Sequence, residues 1–77
     1  MIDPIGSKIA RRRGELKLTQ SQVADLSGVA QGHLSQIERG ERRPSLQTLR
    51  KLSDALNVDA ETFMQWVDAV SDPKAAA

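Results

Sequence analysis

The residues of this chain that could do chemistry are few, and they offer charge and hydrogen bonding rather than nucleophiles or metal ligands. With no cysteine, disulfides, thiolate metal sites and thiol catalysis are all absent, which fits a reducing compartment. His33 is the one histidine, and without ligand-type residues beside it a metal role is not expected. No pair of carboxylates, nucleophile with its base, or phosphate-cradling glycine loop stands in a credible context, and Gly6-Ser7 and Gly14 are isolated. Neither an enzyme nor a cofactor is therefore expected. Charge is the informative feature. Residues 1–51 carry ten Lys/Arg against five Asp/Glu, a net of +5, while residues 52–77 carry one against five, a net of −4. A polyanion would dock on the first part. The plain alternative is that a composition 27% charged only solvates a helical surface.

A small scaffold has to position these charges. The 77 residues leave room for one compact domain with a modest apolar core. That domain is placed at residues 1–71, with 72–77, running through Pro73-Lys74 to three alanines, as a frayed, disordered tail. No apolar run approaches the roughly 20 residues that cross a bilayer. The N-terminus shows neither a basic start nor an apolar signal segment. The expectation is a cytoplasmic protein with no membrane partner.

Apolar periodicity and capping signals predict five short helices and no strand, an all-α class. The first runs from about Pro4 to Lys17, with Ile5, Ile9 and Leu16 on one stripe and Arg11, Arg12, Arg13 and Lys17 crowding its later half. Thr19 opens the second with a capping box, Thr19-x-x-Gln22, and Val23, Ala24 and Leu26 supply its inward face before Gly28 ends it in a left-handed turn. The third spans about Gln31 to Arg39, with Leu34 and Ile37 facing the core and Gly40 terminating it. Ser45 caps a fourth, whose Leu46, Leu49, Leu52 and Leu56 form a continuous apolar stripe that Asn57 can end. Asp59 can cap the fifth, where Phe63, Trp66, Val67 and Val70 give a broad apolar face.

A short helix, a turn opened by glycine and a second short helix form the unit that lays one helix across a DNA backbone and the next in the major groove. Val23 and Ala24, then Gly28, then Leu34 and Ile37 have the spacing this unit needs. The stretch TQSQVADLSGVAQGHLSQIERGERRPS followed by LQTLRKLSDALNV resembles the Cro/phage-repressor type (XRE-like) family of helix-turn-helix transcriptional regulators, over about residues 5–58. The resemblance implies a compact five-helix, lambda-repressor-like DNA-binding domain. Its partner would be double-stranded DNA.

It also implies roles residue by residue. Thr19 and Gln20, at the start of the second helix, match positions that contact the DNA backbone. Gln31, Gly32, His33 and Gln36 match the exposed face of the recognition helix, where a glutamine can bond adenine N6 and N7 together for about 1–3 kcal/mol of discrimination. Gln31 and Gln36 are the expected base readers. His33 either donates to a guanine or a phosphate or is simply an exposed helical residue. Gly32 supplies no reading group and costs roughly 1 kcal/mol of helix propensity relative to alanine. Ala30 stands where a Ser, Thr or Asp cap is usual, so the start of this helix is weakly fixed. Arg39, Arg42 and Arg43 match backbone contacts, the alternative being a solvated loop. Glu38 is the matched ion-pair partner of Arg13, the alternative being two solvated charges.

One recognition helix covers only a few base pairs, so a homodimer on a palindromic operator is expected, acting as a repressor. Met64, Trp66 and Val67 are the candidate dimer surface, unless Trp66 merely closes the monomer core. A restriction-modification controller is a variant of this reading. The competing reading from another class is a protein-interaction module such as an antitoxin, with a toxin or the polymerase as partner. In either case the protein works in the cytoplasm, and on the nucleoid when bound to DNA.

Overall fold

The computed structural model describes residues 4–71, in five helices: α1 Pro4–Glu15, α2 Gln20–Ser27, α3 Gln31–Glu38, α4 Leu46–Ala55 and α5 Ala60–Ser71. Among the described residues there is no strand. The expected tail at 72–77 lies outside them. Helix α3 packs on both α1 and α2, α4 packs on α2 and α5, and α5 returns against α1. Helix α3 is thereby clamped between two neighbours.

Local sequence fixes the helix boundaries. At Thr19 the hydroxyl accepts from the Gln22 amide at 3.0 Å while the Thr19 amide donates to Gln22 Oε1 at 2.8 Å, so the capping box is complete. Ser45 Oγ accepts from the Thr48 amide at 3.1 Å and starts α4 the same way. Asp59 Oδ1 accepts from the Thr62 amide at 2.8 Å ahead of α5.

Three helices end in the same hydrogen-bonded reversal, in which the two amides after the last turn fold back onto its free carbonyls. Gly40 (φ 79°) does this for α3, Asn57 (φ 53°) for α4 and Lys17 (φ 58°) for α1. The Lys17 case shortens α1 by two residues relative to the sequence expectation. Its amide donates to the Gly14 carbonyl at 3.0 Å and that of Leu18 to Arg13 at 3.1 Å. The reward is that Leu18, the next residue, turns inward against the core.

Ile5, Ile9, Val23, Leu34, Ile37, Leu49, Leu52 and Leu56 are fully buried together, with Val29, Trp66 and Val70 closing the cluster. Two expected core residues are outside it. Leu26 is 63% exposed, because Gln20, Val23, Ala24 and Ser27 form the inward stripe of α2 and Leu26 lies roughly a third of a turn from its centre. Its place in the core is taken by Val29, which follows the Gly28 turn. Leu46 is 55% exposed at the very start of α4, while the buried Pro44 fills the space before it. Gly6 sets the closeness of α1 to α3: a Cβ there would collide with the Ile37 carbonyl oxygen and lie 3.0 Å from that of Glu38. No side chain fits between these helices.

Candidate nucleic-acid interface

Helix α3 is eight residues long, and its two faces are sharply different. Leu34 and Ile37 point inward and are fully buried. Counting at 3.6 residues per turn, Gly32, Gln36 and Arg39 lie on the opposite side, with Gln31 and Ser35 on one flank and His33 on the other. Gln31 and Gly32 are exposed, and His33, Ser35 and Gln36 are half-buried. The three expected base readers all lie on the accessible polar surface, Gln36 near its middle and Gln31 and His33 at its opposite edges. Ser35 shares that surface and was not singled out from the sequence; its hydroxyl accepts from Arg39 Nη1 at 2.6 Å. The four-residue spacing was the available signal.

The two ends of α3 are held very differently. At the start, Ala30 is extended (φ −59°, ψ 138°) and makes no side-chain cap, leaving the first amides open to solvent or a ligand. At the end, Arg13 Nε donates to Glu38 Oε2 at 2.8 Å and Arg13 Nη2 to Glu38 Oε1 at 2.9 Å, a parallel two-bond pair. Arg13 Nη1 also donates to the Leu18 carbonyl at 2.9 Å, so one guanidinium joins the last turn of α1, the approach to α2 and the last turn of α3. The bonds to Glu38 outweigh partial desolvation and hold the Arg13 proton more firmly than in a free arginine. Gln20 completes the cluster, its Nε2 donating to Glu38 Oε1 at 3.0 Å. The Glu38 side chain is 6% exposed.

The cations beside α3 are not equally free. Arg39 donates through Nε to Glu41 Oε2 at 2.6 Å and through Nη2 to Glu41 Oε1 at 3.2 Å. This mutual pairing raises the affinity of Arg39 for its proton and lowers that of Glu41. Arg42 is exposed. Arg43 is half-buried and reaches across to α5, donating through Nη1 to the Val70 carbonyl at 3.3 Å. Thr19 is exposed, with its oxygen engaged in the cap.

Arg12, read from sequence only as part of a basic cluster, has a defined structural task. Its Nε donates to the Leu56 carbonyl at 3.0 Å and its Nη2 to that of Asn57 at 3.1 Å. A cation there satisfies carbonyls that the end of α4 leaves free. On α5, Met64 is 56% exposed and Trp66 4% exposed, while Val67 is half-buried. Trp66 therefore closes the core of its own chain, and Met64 is the member of that trio left facing outward. Among the described residues no cluster of His, Cys, Asp and Glu could hold a metal ion, and no helix is long and apolar enough to cross a membrane.

Comparison with known proteins agrees with this architecture. A helix-turn-helix family model matches residues 9–63. The HTH-type transcriptional regulator y4dJ of Sinorhizobium fredii is 48% identical over 54 residues, which cover 70% of each chain. The immunity repressor protein of Bacillus phage phi105 is 35% identical over 60 residues, 78% of this chain and 42% of the repressor. In fold, the chain is similar to the crystal structure of the restriction-modification controller protein C.AhdI from Aeromonas hydrophila, with a TM-score of 0.74, 30% identity, and coverage of 79% of this chain and 92% of that one. The chain belongs to the XRE/Cro-like helix-turn-helix family, a family of DNA-binding transcriptional regulators and not of enzymes.

Proposed function

We propose that this chain is a sequence-specific repressor that binds a palindromic operator in double-stranded DNA as a homodimer. The observation that carries the proposal is the α3 surface, on which Gln36 is accessible opposite the buried Leu34 and Ile37 and Gln31 and His33 are accessible on its two flanks, with the exposed Arg42 beyond its end. Gln31 and Gln36 read base edges and His33 adds a contact to a guanine or a phosphate. Thr19, Gln20, Arg39 and Arg42 hold the backbone on either side. Met64 is the outward apolar residue of α5 through which two copies would meet. Similarity to a phage immunity repressor supports repression as the sign of control. Such a protein acts in the cytoplasm, on the nucleoid.

Selection of bound sites from random duplex DNA, combined with sedimentation of the protein alone and on the selected site, tests this reading. Recovery of a two-fold symmetric sequence bound by two copies is the expected outcome. A single asymmetric site bound by one copy, or no enriched sequence, would refute it. Similarity to C.AhdI favours a second, narrower reading in which the regulated genes encode a restriction-modification pair. That reading requires the selected site to lie before such genes.

A further inference from the structure

The Glu38 carboxylate does more than pair with Arg13. Its Oε1 accepts from both Arg13 Nη2 and Gln20 Nε2, and an ionised carboxylate accepts only. A glutamine amide can usually present either its oxygen or its nitrogen to a partner, but here only the nitrogen can face Glu38. One of the two N–H groups of Gln20 is thus directed inward. The other remains as a donor at the exposed start of α2. Arg13 fixes the same region from behind by holding the carbonyl of Leu18, two residues before Gln20.

We propose that Glu38 is a positioning residue for DNA binding, orienting the Gln20 amide so that its remaining N–H, and not its carbonyl, meets a backbone phosphate. A phosphate is acceptor-only, so a reversed amide would turn a contact into a repulsion. The proposal rests on the reading of Gln20 as a phosphate contact, and the test separates the two.

Binding is measured to a labelled duplex of mixed sequence, about 20 base pairs long, because a phosphate contact is independent of sequence. Gln20→Ala is compared in the natural chain and in the double variant Arg13→Met/Glu38→Met, which removes the carboxylate without leaving a buried charge unpaired. In the natural chain Gln20→Ala is expected to weaken binding roughly tenfold. The salt dependence should not change, since a neutral amide releases no counterion. In the double variant the same substitution is expected to cost less than about threefold, because a freely turning amide contributes little there.

Equal losses in both backgrounds would overturn the positioning role while keeping Gln20 as a contact. No loss in the natural chain would remove the phosphate contact and the proposal with it. If the double variant does not fold, the side-chain amide resonances of Gln20 in the natural chain decide. Two widely separated N–H signals, of which only one moves on adding the duplex, support the proposal. Collapse of both to free-amide positions would refute it.

Discussion

Gly6→Ala sets helix propensity against packing within one residue. In an open helix interior the change is favourable by about 0.8–1.0 kcal/mol, and near the start of α1 by less. Against it stands the contact with α3, where a methyl group would meet the Ile37 carbonyl oxygen and approach the Glu38 carbonyl oxygen and carbon at 3.0 and 3.2 Å. These are backbone atoms of a hydrogen-bonded turn and cannot swing aside as a side chain would. The helices must separate, loosening Ile5 and Ile9 from Ile37 within the shared core, at a cost typical of overpacking, about 1–3 kcal/mol. Packing should win by roughly 1–2 kcal/mol, which lowers the melting temperature of a domain this size by roughly 4–16 °C. Gly14 supplies the control: it too lies in α1, but a Cβ there meets nothing within 4 Å, so Gly14→Ala should raise stability by up to about 1 kcal/mol. Urea unfolding followed by circular dichroism measures both. A Gly6→Ala protein as stable as the parent would show that α1 and α3 do not approach as described. DNA affinity gives a second readout, since the displaced turn carries Glu38.

Four further outcomes follow from named contacts. Glu38→Ala should destabilise by about 3 kcal/mol, because it strands a guanidinium only 23% exposed; a loss below about 1 kcal/mol in denaturant titration would place the pair in the solvent-exposed class. Lys17→Gly should stabilise by up to about 1 kcal/mol by relieving the left-handed backbone at φ 58°, and an unchanged unfolding midpoint would contradict that conformation. Arg42→Ala should reduce the log–log salt slope of duplex binding by about 0.9; an unchanged slope would remove Arg42 from the interface. Asp59 is held below the usual carboxylate range by its hydrogen bonds to Thr62, so the stability it adds is present above its unfolded value, near pH 4, and is lost as pH falls through the lower folded one. Acid titration of an Asp59→Asn variant should therefore show a shallower loss of stability below about pH 4 than the parent.

Signals that act within a few residues were legible before the fold was known. The Thr19 capping box, the glycines at 28 and 40 and the Ser45 cap each depend on neighbours in the chain, and they mark the boundaries that place α2, α3 and the start of α4. Helical spacing was less decisive at the ends of short elements. Leu26 and Leu46 continue an apolar pattern by count, yet one lies beside the inward stripe and the other opens a helix where more than half of it stays exposed. The remaining features depend on residues far apart in sequence. Gly6 was unremarkable until α3 crossed it, Arg12 until the end of α4 came within reach at 3.0 Å, and the bond from Gln20 to Glu38 until α2 met the last turn of α3. Polar side chains on a helix surface state what they can donate, but not which partner will accept.

This difference between local and distant constraints also divides α3. Its C-terminal turn is fixed by the Gly40 reversal and by Arg13, with Glu38 bonded to two other helices' side chains. Its first turn has no side-chain cap and contains Gly32, whose surroundings are open. Local stability in α3 should accordingly fall from its end toward its start, the end nearest Gln31. If Gln20 and the region after α3 contact the backbone as proposed, those contacts rest on a preset frame, whereas base reading by Gln31 would include the cost of ordering the turn that bears it. Filling Gly32 with alanine would reduce that cost but add a methyl group to the surface proposed to meet the bases. Under the proposed function, the backbone contacts and Gln36 rest on the fixed end of this eight-residue helix, while reading by Gln31 depends on its open end.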